Sequence, residues 1–239
     1  MAPLLPAFLA GLGIVAFVSQ APSAEIIAAG TPSAKPPSAE TTRAETAPAA
    51  PEAGGPRRWE LAGDAPLHRA ASPEAPVLET LATGTVLHNL GCAKAAGPAW
   101  CQVQPLRSRT RGYVLAARLR PARAPDGSVP TGADDSPARA RARDFDATGA
   151  VPCAQIRGQP LQTCTVGIAR GTGGDATAIV TFPNGFKRVL SFAHASFIRG
   201  DATMSGVGYD TDWRLEDGIH VIRVDDQRYR IPDSLLFGR

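Results

Sequence analysis

The stretch "TAIVTFPNGFKRVLSF", residues 177–192, gives the strongest indication of the fold. Asn184-Gly185 suits the positive φ angles of a tight hairpin turn. Apolar residues alternate with polar ones on both sides of that turn, as they do in strands with one buried face. These residues are Ala178, Val180 and Phe182 before the turn, and Phe186, Leu190 and Phe192 after it. The stretch therefore predicts an antiparallel β-hairpin.

The rest of residues 145–239 continues this pattern. "TCTVGIAR", residues 163–170, alternates in the same way, and "GIHVIRVDDQRYRIP", residues 218–232, predicts a second hairpin with Asp225-Asp226-Gln227 at its turn. The Gly-rich "RGTGGDAT", residues 170–177, lacks the Gly-Lys-Ser/Thr of a phosphate-binding loop and is interpreted as a further turn. We expect an antiparallel β-sheet or barrel here, the second module.

Residues 57–120 predict a small barrel of short strands, the first module. The order "LHRAASPEAPVLETLATGTVL" (67–87), "AWCQV" (99–103) and "RGYVLAARLRP" (111–121) resembles the bacterial SH3-like domains appended to exported and cell-wall proteins. The resemblance implies a binding or targeting role. In such domains the ligand often lies across aromatic residues near the loops, which makes Trp100 and Tyr113 candidate ligand contacts; the alternative is that both pack in the core or at its rim.

Each module holds one close pair of cysteines, Cys92 and Cys101 in the first and Cys153 and Cys164 in the second. Neither pair has C-x2-C zinc spacing or the C-x-x-C of a thioredoxin motif. Facing residues of an antiparallel hairpin are close enough for a disulfide, so we predict a bond within each pair; buried free thiols are the alternative.

The N-terminal region indicates export. Residues 4–18 are fifteen uncharged, mostly apolar residues, too few for a spanning helix, and small residues follow. We predict a signal peptide over residues 1–24, with cleavage after Ala24, a periplasmic or secreted protein, and no stable membrane span after cleavage. An uncleaved membrane anchor is the alternative. Disulfides persist in such an oxidising compartment.

Two segments rich in Ala and Pro flank the first module, at residues 25–56 and 121–144. Segments with so few large apolar residues cannot bury enough surface to offset the entropy of ordering their backbone. We therefore predict that both are disordered linkers. The expected architecture is all-β: an SH3-like barrel and an antiparallel β domain, joined by disordered linkers.

Positive charge is concentrated in the first module, where "LRSRTRGYV" carries Arg107, Arg109 and Arg111. Alternating arginines in an extended segment would share one face. They indicate either a solvated hairpin tip or a surface for acidic polymers or anionic lipids. Nucleic acid is not expected as a partner of an exported chain.

The sequence contains no catalytic constellation and no cofactor or metal motif, so we predict a non-enzymatic protein. The first hypothesis is an envelope protein whose SH3-like module binds peptidoglycan or another envelope protein. The second follows from "TAIVTF", "VLSF" and "MSGVGYD" (204–210), whose order is similar to that in small periplasmic inhibitors of lysozyme-type enzymes. That resemblance implies inhibition of a wall hydrolase through Ser205, Gly206 and Tyr209.

Overall fold

The computed structural model describes residues 48–94, 97–204 and 206–238. These residues belong to one compact unit. The predicted signal peptide, 1–24, and most of the predicted linker 25–56 lie outside the described residues. Within the described part of the chain, no helix is long and apolar enough to cross a membrane.

The first module is a seven-stranded antiparallel sheet in the order β3-β2-β6-β5-β4-β1-β7. Its core contains alternate residues of the strands, among them Leu61, Leu67, Leu87 and Val103. A short 3₁₀ turn, Ala116–Arg118, links the last two strands. The strands are β1 (Arg58–Leu61), β2 (Ala65–His68), β3 (Val77–Leu81), β4 (Val86–Lys94), β5 (Ala99–Pro105), β6 (Gly112–Leu115) and β7 (Leu119–Pro121).

The second module is an eight-stranded antiparallel sheet in the order β12-β11-β10-β9-β8-β15-β14-β13. Its edge strands, β12 and β13, lie close to each other, so the sheet forms a nearly closed barrel. The strands are β8 (Ala147–Ala154), β9 (Gln162–Arg170), β10 (Ala176–Thr181), β11 (Lys187–Ala193), β12 (Ser196–Gly200), β13 (Thr211–Glu216), β14 (Ile219–Val224) and β15 (Gln227–Pro232). A short helix, α1 (Ser136–Arg141), precedes β8, and α2 (Asp233–Phe237) follows β15.

Both predicted hairpins of the second module are confirmed. β10 pairs with β11 around Asn184-Gly185, and Gly185 has a φ of 82°, as the turn requires. β14 pairs with β15 around Asp225 and Asp226. The inward-facing residues of these strands form one apolar core that includes Phe182. The all-β fold class is therefore confirmed.

The structure contains both predicted disulfides. Cys92 and Cys101 face each other across β4 and β5, with 3.9 Å between their Cα atoms. Cys153 and Cys164 join β8 to β9, with 5.9 Å between Cα atoms. Two disulfides fit an oxidising compartment, periplasmic or extracellular.

The prediction of a disordered linker at residues 121–144 is wrong. This segment runs between the two sheets with Ala122, Ala124 and Ala140 buried. Thr131 forms a β-bridge with Pro56, and α1 packs on β9 and β10. The segment is ordered by small side chains and backbone hydrogen bonds, neither of which shows as an apolar pattern in sequence.

The described end of the other predicted linker, residues 48–56, is also packed against the first module. The Asn89 side chain donates hydrogen bonds to the carbonyl oxygens of Ala49 and Pro56, at 3.0 and 2.8 Å. Pro51 is buried at the start of a 3₁₀ turn, Pro51–Ala53. The folded unit therefore begins earlier than residue 57.

Candidate functional site

A buried ion cluster joins the two modules. Asp175, in the turn between β9 and β10, is 1% exposed. One of its carboxylate oxygens lies 2.7 Å from Nη1 of Arg57, and the other accepts a hydrogen bond from Arg58. The backbone N–H of His194 donates to the same carboxylate at 3.2 Å. One carboxylate therefore holds two arginines from the start of the first module.

The segment 121–144 completes this joint. Arg57 also donates to the carbonyl oxygens of Gly132 and Ala133, both at 3.0 Å. Gly173 has a φ of 69°, and a Cβ there would lie 2.0 Å from Cγ of Pro130, so only glycine allows the turn to approach the segment this closely. Burial raises the pKa of the nearby Asp134 carboxyl. The modules thus share a polar, solvent-excluded contact.

The predicted arginine cluster lies in the loop between β5 and β6, residues 106–111, which we call the arginine loop. The side chain of Gln104 fixes this loop: its Nε2 donates to the Ser108 carbonyl at 2.7 Å, and its Oε1 accepts from Nε of Arg111 at 2.9 Å. The backbone N–H of Thr110 donates to Oγ of Ser108 at 3.0 Å. The loop is therefore a constrained turn.

Two of the arginines reach aromatic rings of the second module. The guanidinium carbon of Arg107 lies 5.1 Å from the centroid of the Trp213 ring. That of Arg109 lies 3.7 Å from the centroid of the Tyr209 ring. Both distances are those of cation–π contacts. The expected alternation on one strand face is wrong, because the arginines lie in a loop beyond the strand, and two of them contact rings of the second module.

Between the loop and the second module is a cleft of about 400 Å³, the arginine cleft. Its lining includes Arg107, Arg109, Arg111 and Arg199, but among the described residues no aspartate or glutamate. Among the described residues, the nearest carboxylate to any of the four guanidinium groups is that of Asp201, 3.9 Å from Arg199 and half exposed. Four cations with little neutralisation give the cleft a positive potential, which attracts anions.

His88 connects the arginine cleft to a second cavity of about 280 Å³ beside Arg58 and Asp134, because it lines both. Burial and the neighbouring positive charge of Arg58 lower the pKa of His88 to about 4. The imidazole is therefore neutral at pH 7. The cleft carries its charge on guanidinium groups alone, and these can hold carboxylate or phosphate with two parallel hydrogen bonds.

The orientation of the Trp213 ring is fixed by a hydrogen bond to a buried histidine. Its indole N–H donates to Nδ1 of His220 at 3.0 Å, so Nε2 of that imidazole lies ready to donate to Asp233, 3.1 Å away. The rings of Trp213 and His220 stack with centroids 5.9 Å apart. The Trp213 ring, over which Arg107 lies, is thus held in one orientation. His220 itself is completely buried.

Trp100, predicted as a ligand contact, is only 4% exposed. It packs edge-to-face against His68, with ring centroids 5.3 Å apart, as the packing alternative describes. Tyr113 is half-buried opposite His68 and does not line the arginine cleft. The aromatic residue that lines the cleft is Tyr209, and Trp213 lies beside it under Arg107; sequence reasoning assigned neither to the arginine loop.

Comparison with protein-family models, with curated proteins and with solved structures finds no match to this chain. No group of three or more metal-ligating side chains is placed to hold an ion within residues 48–94, 97–204 and 206–238. The site is thus defined by its own geometry: a positively charged cleft, two aromatic platforms, and a loop held in place by hydrogen bonds.

Proposed function

We propose that this is an exported, non-enzymatic binding protein of the bacterial envelope, whose arginine cleft holds a carboxylate- or phosphate-bearing group of the cell wall. The first module serves as an SH3-like binding module, in keeping with its sequence resemblance. The second module completes the site by supplying Tyr209 and Arg199, and its Trp213 supports Arg107 from beside the cleft. Peptidoglycan, whose stem peptides carry carboxylates, has the required chemistry.

The observation that carries this proposal is the gathering of four arginines around one cleft, with no acidic side chain among its described lining residues. Several arginines elsewhere on the surface are paired with carboxylates, as Arg223 is with Asp210 at 2.8 Å. By contrast, Arg107, Arg109 and Arg111 have no carboxylate within 4 Å in the described part of the chain. Holding like charges together without counter-ions is unfavourable unless an anion binds between them.

A binding assay with purified peptidoglycan sacculi tests this proposal. The wild-type protein should co-sediment with sacculi, and Arg107→Gln, Arg109→Gln and Arg111→Gln in one chain should abolish most of that binding. Circular dichroism should show the variant folded, because the three side chains are exposed and such changes cost little stability.

The matched control removes three other exposed arginines that have no ion pair, by Arg69→Gln, Arg118→Gln and Arg230→Gln. This variant has the same net charge as the arginine-loop variant, and it should bind sacculi like the wild type. Equal loss of binding in both variants would mean that overall charge, rather than the cleft, attracts the protein to the wall.

A second candidate function, inhibition of a wall hydrolase, is supported by the loop between β12 and β13. Met204 and Val207 are largely exposed there, at 108% and 59%. The base of the loop is rigid, because Asp225 accepts from Arg188 at 2.5 Å and from the Gly208 N–H at 3.1 Å. A fixed base with an apolar tip suits insertion into an enzyme's cleft, with little entropy lost on binding.

Of the residues first assigned to this function, Ser205 lies outside the described residues, while Gly206 bridges to Thr203 and Tyr209 lies under Arg109. A lysozyme-inhibition assay separates the two functions. Inhibition that is lost in Met204→Ser with Val207→Ser, but is retained in the arginine-loop variant, would support the inhibitor. Absence of inhibition at micromolar protein would exclude it for that enzyme.

A further inference from the structure

The outer face of the second barrel is only partly covered. Helix α1 packs across β9 and β10 and buries Ala169 and Thr177, which lie on that outer face. Ser136 anchors the helix, with its Oγ 3.0 Å from Oγ1 of Thr177. The helix is only six residues long, so the same strands continue past its end without a cover.

The uncovered part is a groove of about 780 Å³, within the size range of small-molecule sites. Its floor is made of small residues, among them Gly149, Ala150 and Gly167, with the half-buried Ile179 beside them. Phe145 forms one wall. A Cβ at Gly167 would lie 2.4 Å from the Phe145 ring, so the glycine is what lets that ring lie flat against the strand. The floor is mostly apolar, although Thr148, Thr165 and Thr181 also line the groove.

The rim of the groove is basic. Arg141, Arg143 and Lys187 line it and are exposed, and none has a carboxylate within 4 Å among the described residues. The nearby acids, Asp144 and Asp146, are instead paired with Arg139 at 2.7 and 2.9 Å.

Arg143 is held in the left-handed region, with a φ of 60°, which is uncommon for a residue other than glycine. Its N–H donates to the Ala140 carbonyl at 3.0 Å, so the chain turns sharply at the end of α1. This turn lies between Arg141 and the wall residue Phe145, and Arg141, Arg143 and Phe145 all line the groove. The groove therefore combines apolar surface with unneutralised cations.

The geometry points to a binding site for a single-chain anionic amphiphile, an acyl or prenyl chain that ends in a phosphate or carboxylate. The chain would lie over Ile179 and against Phe145, and the anionic end would meet Arg141, Arg143 and Lys187. A flat bilayer surface does not fit a concave groove. An extended peptide would need a free strand edge, whereas β9 and β10, which form most of the floor, are each paired on both sides.

Calorimetric titration of the full chain tests this site, with dodecyl phosphate and dodecanoate below their micellar concentrations and the uncharged dodecyl maltoside beside them. Both anions should bind one per chain, and the stronger of the two identifies the headgroup. Dodecyl maltoside should bind at least tenfold more weakly. Lengthening the chain from octyl to dodecyl phosphate should tighten binding about twofold per methylene, as expected for half-buried methylenes.

Two variants locate the binding. Arg141→Gln, Arg143→Asn and Lys187→Gln together should weaken dodecyl phosphate binding at least tenfold, and Ile179→Glu should do the same by placing a charge on the floor. The surface control at residues 69, 118 and 230 should bind like the wild type, and circular dichroism should show every variant folded. Equal affinity for dodecyl maltoside, no saturable binding, or binding unchanged in both groove variants would overturn the proposal.

Discussion

Replacing Asp175 by Asn is the sharpest test of the joint between the modules. The change keeps the size of the side chain but removes the charge that holds Arg57 and Arg58, whose side chains are 10% and 5% exposed. Removing one partner of a buried pair costs about 3–5 kcal/mol, because the remaining charge is left unpaired. Here two guanidinium groups lose their counter-ion, while the amide oxygen still accepts one hydrogen bond. We therefore expect a loss of about 3 kcal/mol or more in the free energy of unfolding.

Urea denaturation followed by far-UV circular dichroism measures this loss, and Asp226→Asn is the matched control. Asp226 is paired with Arg157 at 2.9 Å, but both side chains are more than half exposed. An exposed pair contributes little, so the control should change the free energy of unfolding by no more than about 0.5 kcal/mol. If Asp175→Asn is as mild as the control, the two arginines are hydrated and the modules are not joined by a buried ion cluster.

Three further predictions follow from the described contacts. Because the pKa of His88 is about 4 when folded and about 6.5 when unfolded, stability should be full above pH 6.5 and fall by about 3 kcal/mol as the pH drops to 4, and His88→Gln should remove most of this slope in urea titrations at several pH values. Limited proteolysis should spare residues 121–144, which are packed between the sheets; early cleavage there would restore the linker interpretation. Thiol labelling without reduction should find no free cysteine, and substantial labelling would contradict the disulfides.

The sequence alone was sufficient to predict the structural features that depend on local patterns. Alternating apolar residues around Asn184-Gly185 define a hairpin regardless of its surroundings, and a cysteine on each side of a short loop, as at Cys92 and Cys101, implies a local disulfide. These features need only neighbouring residues, so composition and spacing reveal them. The all-β fold, its two best hairpins and both disulfides were accessible in this way.

What the sequence did not reveal depends on contacts between distant residues. Asp175 lies in a Gly-rich turn that looks like an ordinary loop, and nothing nearby shows that it will meet arginines more than a hundred residues earlier. The segment 121–144 buries alanines and backbone carbonyls, which leave no hydrophobic periodicity. The arginine loop was recognised by its charge, but its partners, Tyr209 and Trp213, are on the other module.

These contacts show that the two modules act as one unit rather than as two independent domains. Two independent, flexibly linked domains could bring a binding module to its ligand, but neither domain would shape the binding site of the other. Here the buried cluster at Asp175 fixes the modules against each other, and Arg107 and Arg109 lie against rings of the second module at its surface. The arginine cleft lies between them, so the joint is also what forms the proposed binding site.

The salt dependence of sacculus binding tests the proposed function most directly. Charges exposed to solvent are screened beyond about 8 to 10 Å at physiological ionic strength, so binding through the arginine cleft should weaken steadily as sodium chloride is raised from 50 to 500 mM. The variant with Arg107, Arg109 and Arg111 changed to Gln should bind weakly at every concentration and lose most of this dependence. Wild-type binding that is unaffected by salt, or a variant with the same affinity and the same slope, would contradict the account.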